Sequence, residues 1–221
     1  MIEAQGVTKT YSNTQGLLHA LEKVDLSVNE GDFVVIHGAS GSGKTTLLMA
    51  LGGMLRPTSG KITFRGKDLY SLSPLRRNQY RKQHVGFVFQ KFFLLPYLTA
   101  YDNIRLALAL RGRRGNQDER ITELAARFSM SDRLSHHPAQ MSVGEQQRIA
   151  MARAIAAEPE LILADEPTGN LDRGNSEAFA RFLAAENRRG RTIVLVTHDE
   201  GLLGLGNRRV QLRGGKLSDA A

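Results

Sequence analysis

The chain has 221 residues, 41% of them hydrophobic and 24% charged, with no cysteine and a formal charge of +8. This is the composition of a globular protein long enough to bury a core, and without cysteine it can form neither disulfides nor thiolate metal sites. No apolar run reaches the roughly 18 residues that a membrane-spanning helix needs, and residues 1–5 lack the basic-then-apolar opening of a secretion signal.

In chain order, the first 30 residues and residues 61–64 alternate apolar and polar side chains, which predicts half-exposed antiparallel strands. Apolar, β-branched runs at 33–36, 85–89, 161–163 and 193–196 predict buried strands. Helices are expected at 46–51, 145–157 and 176–189. Strand followed by helix, repeated, implies an α/β fold with a parallel sheet covered on both faces. Residues from about 91 to 157 read as mainly helical, a subdomain inserted between two strands of a single domain spanning 1–221. Basic residues gather at Arg76-Arg77 with Arg81-Lys82, at Arg111 with Arg113-Arg114, and at Arg208-Arg209. Nucleic acid, an anionic membrane surface and plain solvated faces are all compatible with them.

The segment Gly38-Ala39-Ser40-Gly41-Ser42-Gly43-Lys44-Thr45 fits G-x-x-x-x-G-K-[ST] in full, and Thr46 continues it into a helix. It falls directly after a predicted strand and before a predicted helix, as a phosphate-binding loop must. The glycines let main-chain N–H groups converge on phosphate oxygens, and the helix end adds partial positive charge. Lys44 would reach the β- and γ-phosphates of ATP, and the Thr45 hydroxyl would ligate Mg²⁺. Further on, the run 161–164 leads into Asp165-Glu166. A buried strand ending in two acids delivers them to the carboxyl edge of the sheet, where open α/β folds bind ligands. Asp165 is placed to hold Mg²⁺ through water, and Glu166 to accept a proton from an attacking water. Together these motifs define a P-loop NTPase.

Ser142, in Met141-Ser142-Val143-Gly144-Glu145-Gln146-Gln147-Arg148, begins a helix whose first-turn N–H groups can bind an anion. This segment resembles the signature motif of the ABC ATPases, usually written LSGGQ. Other positions resemble that family in order: Tyr11 as the adenine-stacking aromatic, Gln90 as the Q-loop residue that touches Mg²⁺, Asp172 as the D-loop aspartate, and His198 as the switch histidine. Val143 departs from the pattern, standing where the first glycine of the signature is usual. The resemblance covers essentially the whole chain. It implies a RecA-like P-loop core with an N-terminal antiparallel β subdomain and an inserted helical subdomain. It also implies a homodimer holding two ATPs, with Ser142, Gly144 and Glu145 pressed on the γ-phosphate bound by the opposite subunit and Asp172 signalling across the interface.

By the same resemblance, integral membrane subunits would dock near Gln90 to Leu98. The stretch 92–98 would be divided between that groove and the core. The expected location is cytoplasmic, peripheral on the inner face of the membrane, with no specific nucleic acid as partner. The segments 165–172 and 86–96 look like the lipoprotein-release and macrolide-export group (LolD and MacB types), with the cell-division FtsE type close by. A DNA-repair ABC ATPase fits poorly, because only 98 positions (142 − 44) separate Lys44 from Ser142 and no cysteine is present for a zinc module.

Overall fold

The structure, a computed structural model, describes residues 1–13, 16–112 and 116–219. Strands β1 (Ile2–Asn13) and β2 (Gly16–Val28) pair antiparallel, and their inward side chains (Ile2, Ala4, Leu21, Val24, Leu26) are buried. β3 (Phe33–His37) is apolar on both faces and leads through the phosphate loop into α1 (Lys44–Leu51). β4 (Ser59–Phe64) returns to pair with β1, and β5 (Lys67–Asp68) completes a four-stranded antiparallel sheet in the order β2-β1-β4-β5. Helix α2 (Pro74–His84) starts where Ser73 accepts the Arg76 N–H and Pro74 pre-sets the first turn, and it hands over directly to β6 (Val85–Phe89).

Three helices follow before the chain returns to the sheet: α3 (Ala100–Arg111), α4 (Gln117–Arg127) and α5 (Val143–Ala156). Then come β7 (Leu161–Asp165), α6 (Arg173–Arg188), β8 (Thr192–Thr197), β9 (Arg208–Arg213) and β10 (Lys216–Asp219). The second sheet has the order β10-β9-β3-β8-β7-β6 and is parallel except at the β9–β10 hairpin. Although α3 to α5 separate them in sequence, β6 and β7 are direct neighbours.

Alternation along the central strands sets the core. Phe33, Val35, Ile162 and Ala164 face one cluster with Ile104, Leu124, Ile149 and Phe179 of the helices. Val34, Ile36, Leu161 and Leu163 face the other, with Leu47 and Leu51 of α1 and the inner face of the antiparallel sheet. Burying each Val, Leu, Ile or Phe side chain among them stabilises the fold by about 1.5–3 kcal/mol, so both layers clamp the strand ends that carry the site. The fully buried Glu186, in the last turn of α6, ties that helix to α4 and to the start of β8. It pairs with Arg127 at the end of α4, with Arg189 at 3.0 Å and with Arg191 just before β8. Three guanidinium groups thus surround one enclosed carboxylate.

Residues 91–99 are not helical. Phe92 and Phe93 have left-handed backbones (φ +55° and +48°), and the helix starts only where Thr99 caps α3. Phe92 is buried, whereas Phe93, Leu95 and Tyr97 are exposed. Several arginines of the basic clusters bind carbonyls: Arg77 on Leu72, Arg81 on Gly53, Arg111 on Glu158 and Arg208 on Ser27. Arg113 and Arg114 lie outside the described residues.

Candidate functional site

At the phosphate loop the backbone itself demands glycine. Gly43 has φ +104°, and a Cβ there would sit 2.1 Å from the Ala20 carbonyl oxygen. Among the described residues no side chain caps the start of α1, which leaves its first-turn N–H groups able to meet an anion. The Ser42 hydroxyl is buried and has no partner among the described residues. Ala39, Ser40 and Gly41 stand exposed at the rim, beside an open cavity of about 390 Å³ that reaches Gln211 and Gly214. The buried Lys44 ammonium donates to the carbonyls of Gly38 (2.7 Å) and Ala39 (3.1 Å) and pairs with Glu166 Oε1 at 3.2 Å. Thr46 is half-buried one position into the helix.

Opposite the loop, β7 ends between β6 and β8, with Asp165 in register with Phe89 and Val196. The Thr45 hydroxyl donates to Asp165 Oδ1 at 2.9 Å. Burial raises the Asp165 carboxyl above its ordinary value; the Thr45 hydrogen bond opposes this, the Glu166 charge adds to it and Lys44 opposes it. Glu166 itself has φ +45°, a strained conformation for a non-glycine residue, held by its N–H on the Val196 carbonyl (2.9 Å). Its Oε2 accepts the His198 main-chain N–H at 3.1 Å and lies 2.7 Å from His198 Nδ1. One carboxylate is thus held between the loop lysine and the histidine that directly follows the neighbouring strand β8.

Lys44, Thr45, Asp165, Glu166 and His198 therefore meet at the carboxyl edge of β3, β8 and β7, the edge that ligands use in such sheets. Gln90 follows β6 one strand further out. Its amide packs beside Gly169, where a Cβ would lie 2.6 Å from Nε2, and its carbonyl accepts the Asn170 side chain at 3.3 Å. An open cavity of about 800 Å³ runs from Glu166 and His198 to Arg173 and Leu202. The donor set suits the expected groups. The Thr45 hydroxyl, Asp165 carboxylate and Gln90 amide offer oxygen ligands, as Mg²⁺ requires. The unpartnered Ser42 hydroxyl and the uncapped helix end suit phosphate oxygens.

The remaining predicted residues lie apart. Ser142 caps α5, its hydroxyl accepting the Glu145 N–H (3.3 Å) while Glu145 Oε2 accepts the Ser142 N–H (2.8 Å). Glu145 Oε1 accepts from Arg133 Nε at 2.8 Å. Arg133 foremost, then the Ser142 N–H, pull the Glu145 carboxyl down to about 2. Gly144 packs tightly on the Asn175 side-chain amide. Asp172 caps α6, taking the Asn175 N–H (2.9 Å) and Nδ2 (2.7 Å) on its two oxygens. Tyr11 lies near the end of β1, opposite Leu18 and 39% exposed, with Lys9 Nζ 5.1 Å from its ring centre. Among the described residues no hydrogen bond or ion pair joins residues 142–145 to residues 38–45.

Reading the motifs alone missed Arg133, Asn175 and Lys9, which hold Glu145, Asp172 and Tyr11. The capping-box pattern Ser142-x-x-Glu145 signals the mutual bonds of those two residues and not these three partners.

A glycine loop, lysine and paired acids at one sheet edge define a P-loop NTPase core. Residues 21–169 match the family described as ABC transporter. Over 219 residues the chain is 40% identical to the lipoprotein-releasing system ATP-binding protein LolD of Geobacter metallireducens, covering 98% of this chain and 97% of that protein. Over 218 residues it is 40% identical to an ABC transporter ATP-binding protein of Methanocaldococcus jannaschii, covering 98% and 97%. It is 42% identical to the macrolide export ATP-binding/permease protein MacB of Syntrophobacter fumaroxidans, but spans only 31% of that longer protein. Two solved structures of the cassette MJ0796, one dimeric and one a dimeric post-hydrolysis state bound to ADP and Pi, superpose with a TM-score of 0.92. They are 37% and 36% identical and cover 99% of this chain and 98% of theirs. The chain belongs to the ABC transporter family, as its ATP-binding, ATP-hydrolysing subunit.

Proposed function

We propose that this chain powers integral membrane subunits of the lipoprotein-release or macrolide-export type, working as an ATP-closed homodimer on the cytoplasmic face of the membrane. The contact of Lys44 and Thr45 with the acids ending β7 carries the catalytic half of this reading. Gly38 to Thr46 cradle the triphosphate, Tyr11 stacks on adenine, and Thr45, Asp165 and Gln90 hold Mg²⁺. Mg²⁺, when bound, offsets the negative charge of the transferring phosphoryl group.

Glu166 orients a water molecule and takes its proton as the water oxygen attacks the γ-phosphorus, and the bond from that phosphorus to ADP breaks. Lys44 leaves Glu166 for the phosphate oxygens, and His198 positions the far side of the γ-phosphate. The helix end at Ser142, Gly144 and Glu145 closes on the nucleotide of the opposite copy, with Asp172 beside it. Its exposure within one chain, Val143 being 49% accessible, supports that assignment. Residues from about 91 to 157 act as an inserted helical subdomain, and the membrane subunits dock near Gln90 to Leu98, where Phe93, Leu95 and Tyr97 are exposed.

The test is Glu166→Gln. Losing the base should lower turnover by about 10²–10⁴, while a dimer accumulates with MgATP in size-exclusion chromatography. Turnover close to that of the parent would remove Glu166 from the chemistry. A variant that stays monomeric in MgATP would remove the sandwich.

A further inference from the structure

Arg153 lies on α5, eleven residues and so about 16 Å of helix beyond Ser142. Its guanidinium donates to the carbonyl of Phe92 (NH2, 2.6 Å) and to that of Phe93 (NH1, 2.6 Å). Burial pushes this guanidinium below its ordinary value, and among the described residues no carboxylate pairs with it. Among the described residues a largely buried cation therefore rests on two neutral main-chain carbonyls, with no anion beside it.

The residues it holds are the strained ones. Phe92 and Phe93 are consecutive left-handed phenylalanines, tightened by the Phe93 N–H on the Lys91 carbonyl at 2.5 Å. Such backbone persists only where the surroundings over-determine it. Phe93 then packs edge-on against Phe89 (5.2 Å), which stacks on Phe87 (5.4 Å). Phe87 and Phe89 line a groove of about 340 Å³ together with Leu106, Leu110 and Arg153. Gln90 lies just two residues before the clamped pair.

We propose that Arg153 is a positioning residue, a clamp that makes α5 and the segment from Gln90 to Phe93 move as one body. A shift in the groove is then carried along the rigid helix to its Ser142 end, and closure at Ser142 is carried back to Gln90. Arginine suits this role because its planar fork spans two carbonyls at once, which a lysine ammonium does not reproduce. The inference rests on the proposed roles of Gln90 and Ser142.

The chain contains no tryptophan, so Phe93→Trp gives a single tryptophan on the clamped segment, excited selectively beyond the absorption of the tyrosines. With Arg153 intact, adding MgATP should change its emission. Combining it with Arg153→Met should abolish most of that response and lower kcat by about tenfold, a barrier change of about 1.4 kcal/mol, with KM for ATP nearly unchanged. Arg153→Lys should fall between the two with an almost unchanged thermal midpoint, and it decides the matter if the methionine variant does not fold. A full response and full kcat in Arg153→Lys and Arg153→Met would overturn the clamp. So would a reporter that hydrolyses ATP with no change in emission, or a kcat loss matched by an equal rise in KM. If instead the native chain hydrolyses no ATP, the broader reading of the site is what fails.

Discussion

On the proposed function the edge of the parallel sheet and the free end of α5 both meet phosphate, yet within one chain they are finished to different degrees. At the sheet edge, Lys44, Thr45, Asp165, Glu166 and His198 already touch one another within one chain. Buried strands on either side fix them, so their geometry is a by-product of the core. At α5 the polar groups are turned on themselves: Ser142 and Glu145 cap each other, and Val143 faces solvent. The first region is a complete half of a site, and the second is a prepared surface. Preorganisation through packing needs one chain here, whereas an exposed helix end needs a second surface to give it a task.

Asp165→Asn should give the largest effect. Hydrolysis with Mg²⁺ should fall by about 10² or more, the scale of lost electrostatic preorganisation. The thermal midpoint of the protein alone should not fall, because burial and Glu166 both oppose the Asp165 charge. Calorimetry beside a steady-state assay checks both, and a clear loss of stability would mean that the acid is structural.

Ser142→Ala probes the other region. Losing the cap should cost about 1 kcal/mol of stability, and the ATP-driven dimer should weaken beyond that. Equilibrium unfolding and ultracentrifugation separate the two, and an unaltered dimer would leave α5 out of the interface.

Glu145→Gln should show itself through pH. The folded carboxyl is depressed to about 2, so its contribution is whole above the ordinary glutamate range and is lost as pH falls toward that value. The gap in thermal midpoint between parent and variant should narrow from about pH 6 to about pH 3. A gap that ignores pH would disconnect Glu145 from the cap.

The smallest change is expected for Val143→Gly. The proposed anion contact there would use N–H groups that valine and glycine share, and glycine costs the helix a few tenths of a kcal/mol. Hydrolysis should stay within a few-fold. A rise of tens of fold would mean that valine acts as a brake.

Much of the sheet edge was legible in the sequence because each part is local: a β-branched run, a glycine loop with Lys44, two acids after a buried strand. The family likeness supplied Gln90 and His198, and their positions at the same edge depend on long-range strand order. What escaped has physical causes. Helix α2 buries only Tyr80, so no apolar stripe betrays it. Strand β9 buries Val210 and Leu212 between exposed Arg209, Gln211 and Arg213, and its charges read first as a basic patch. Residues 91–99 carry apolar side chains like a helix, but the left-handed pair and Pro96 forbid one. Glu145 and Asp172 were expected to serve the ligand or the interface, and within the chain both serve as caps.

The grip of Lys44 on Glu166 sets a trade-off. On the proposed mechanism, an arriving phosphate must win the lysine from a carboxylate 3.2 Å away, so nucleotide affinity is a difference between two ion pairs. Weakening the carboxylate frees the lysine, and the nucleotide is held more tightly as turnover is lost. Strengthening it protects the base but makes every binding event harder. Retention and turnover thus draw on a single ammonium, and neither can be tuned without moving the other.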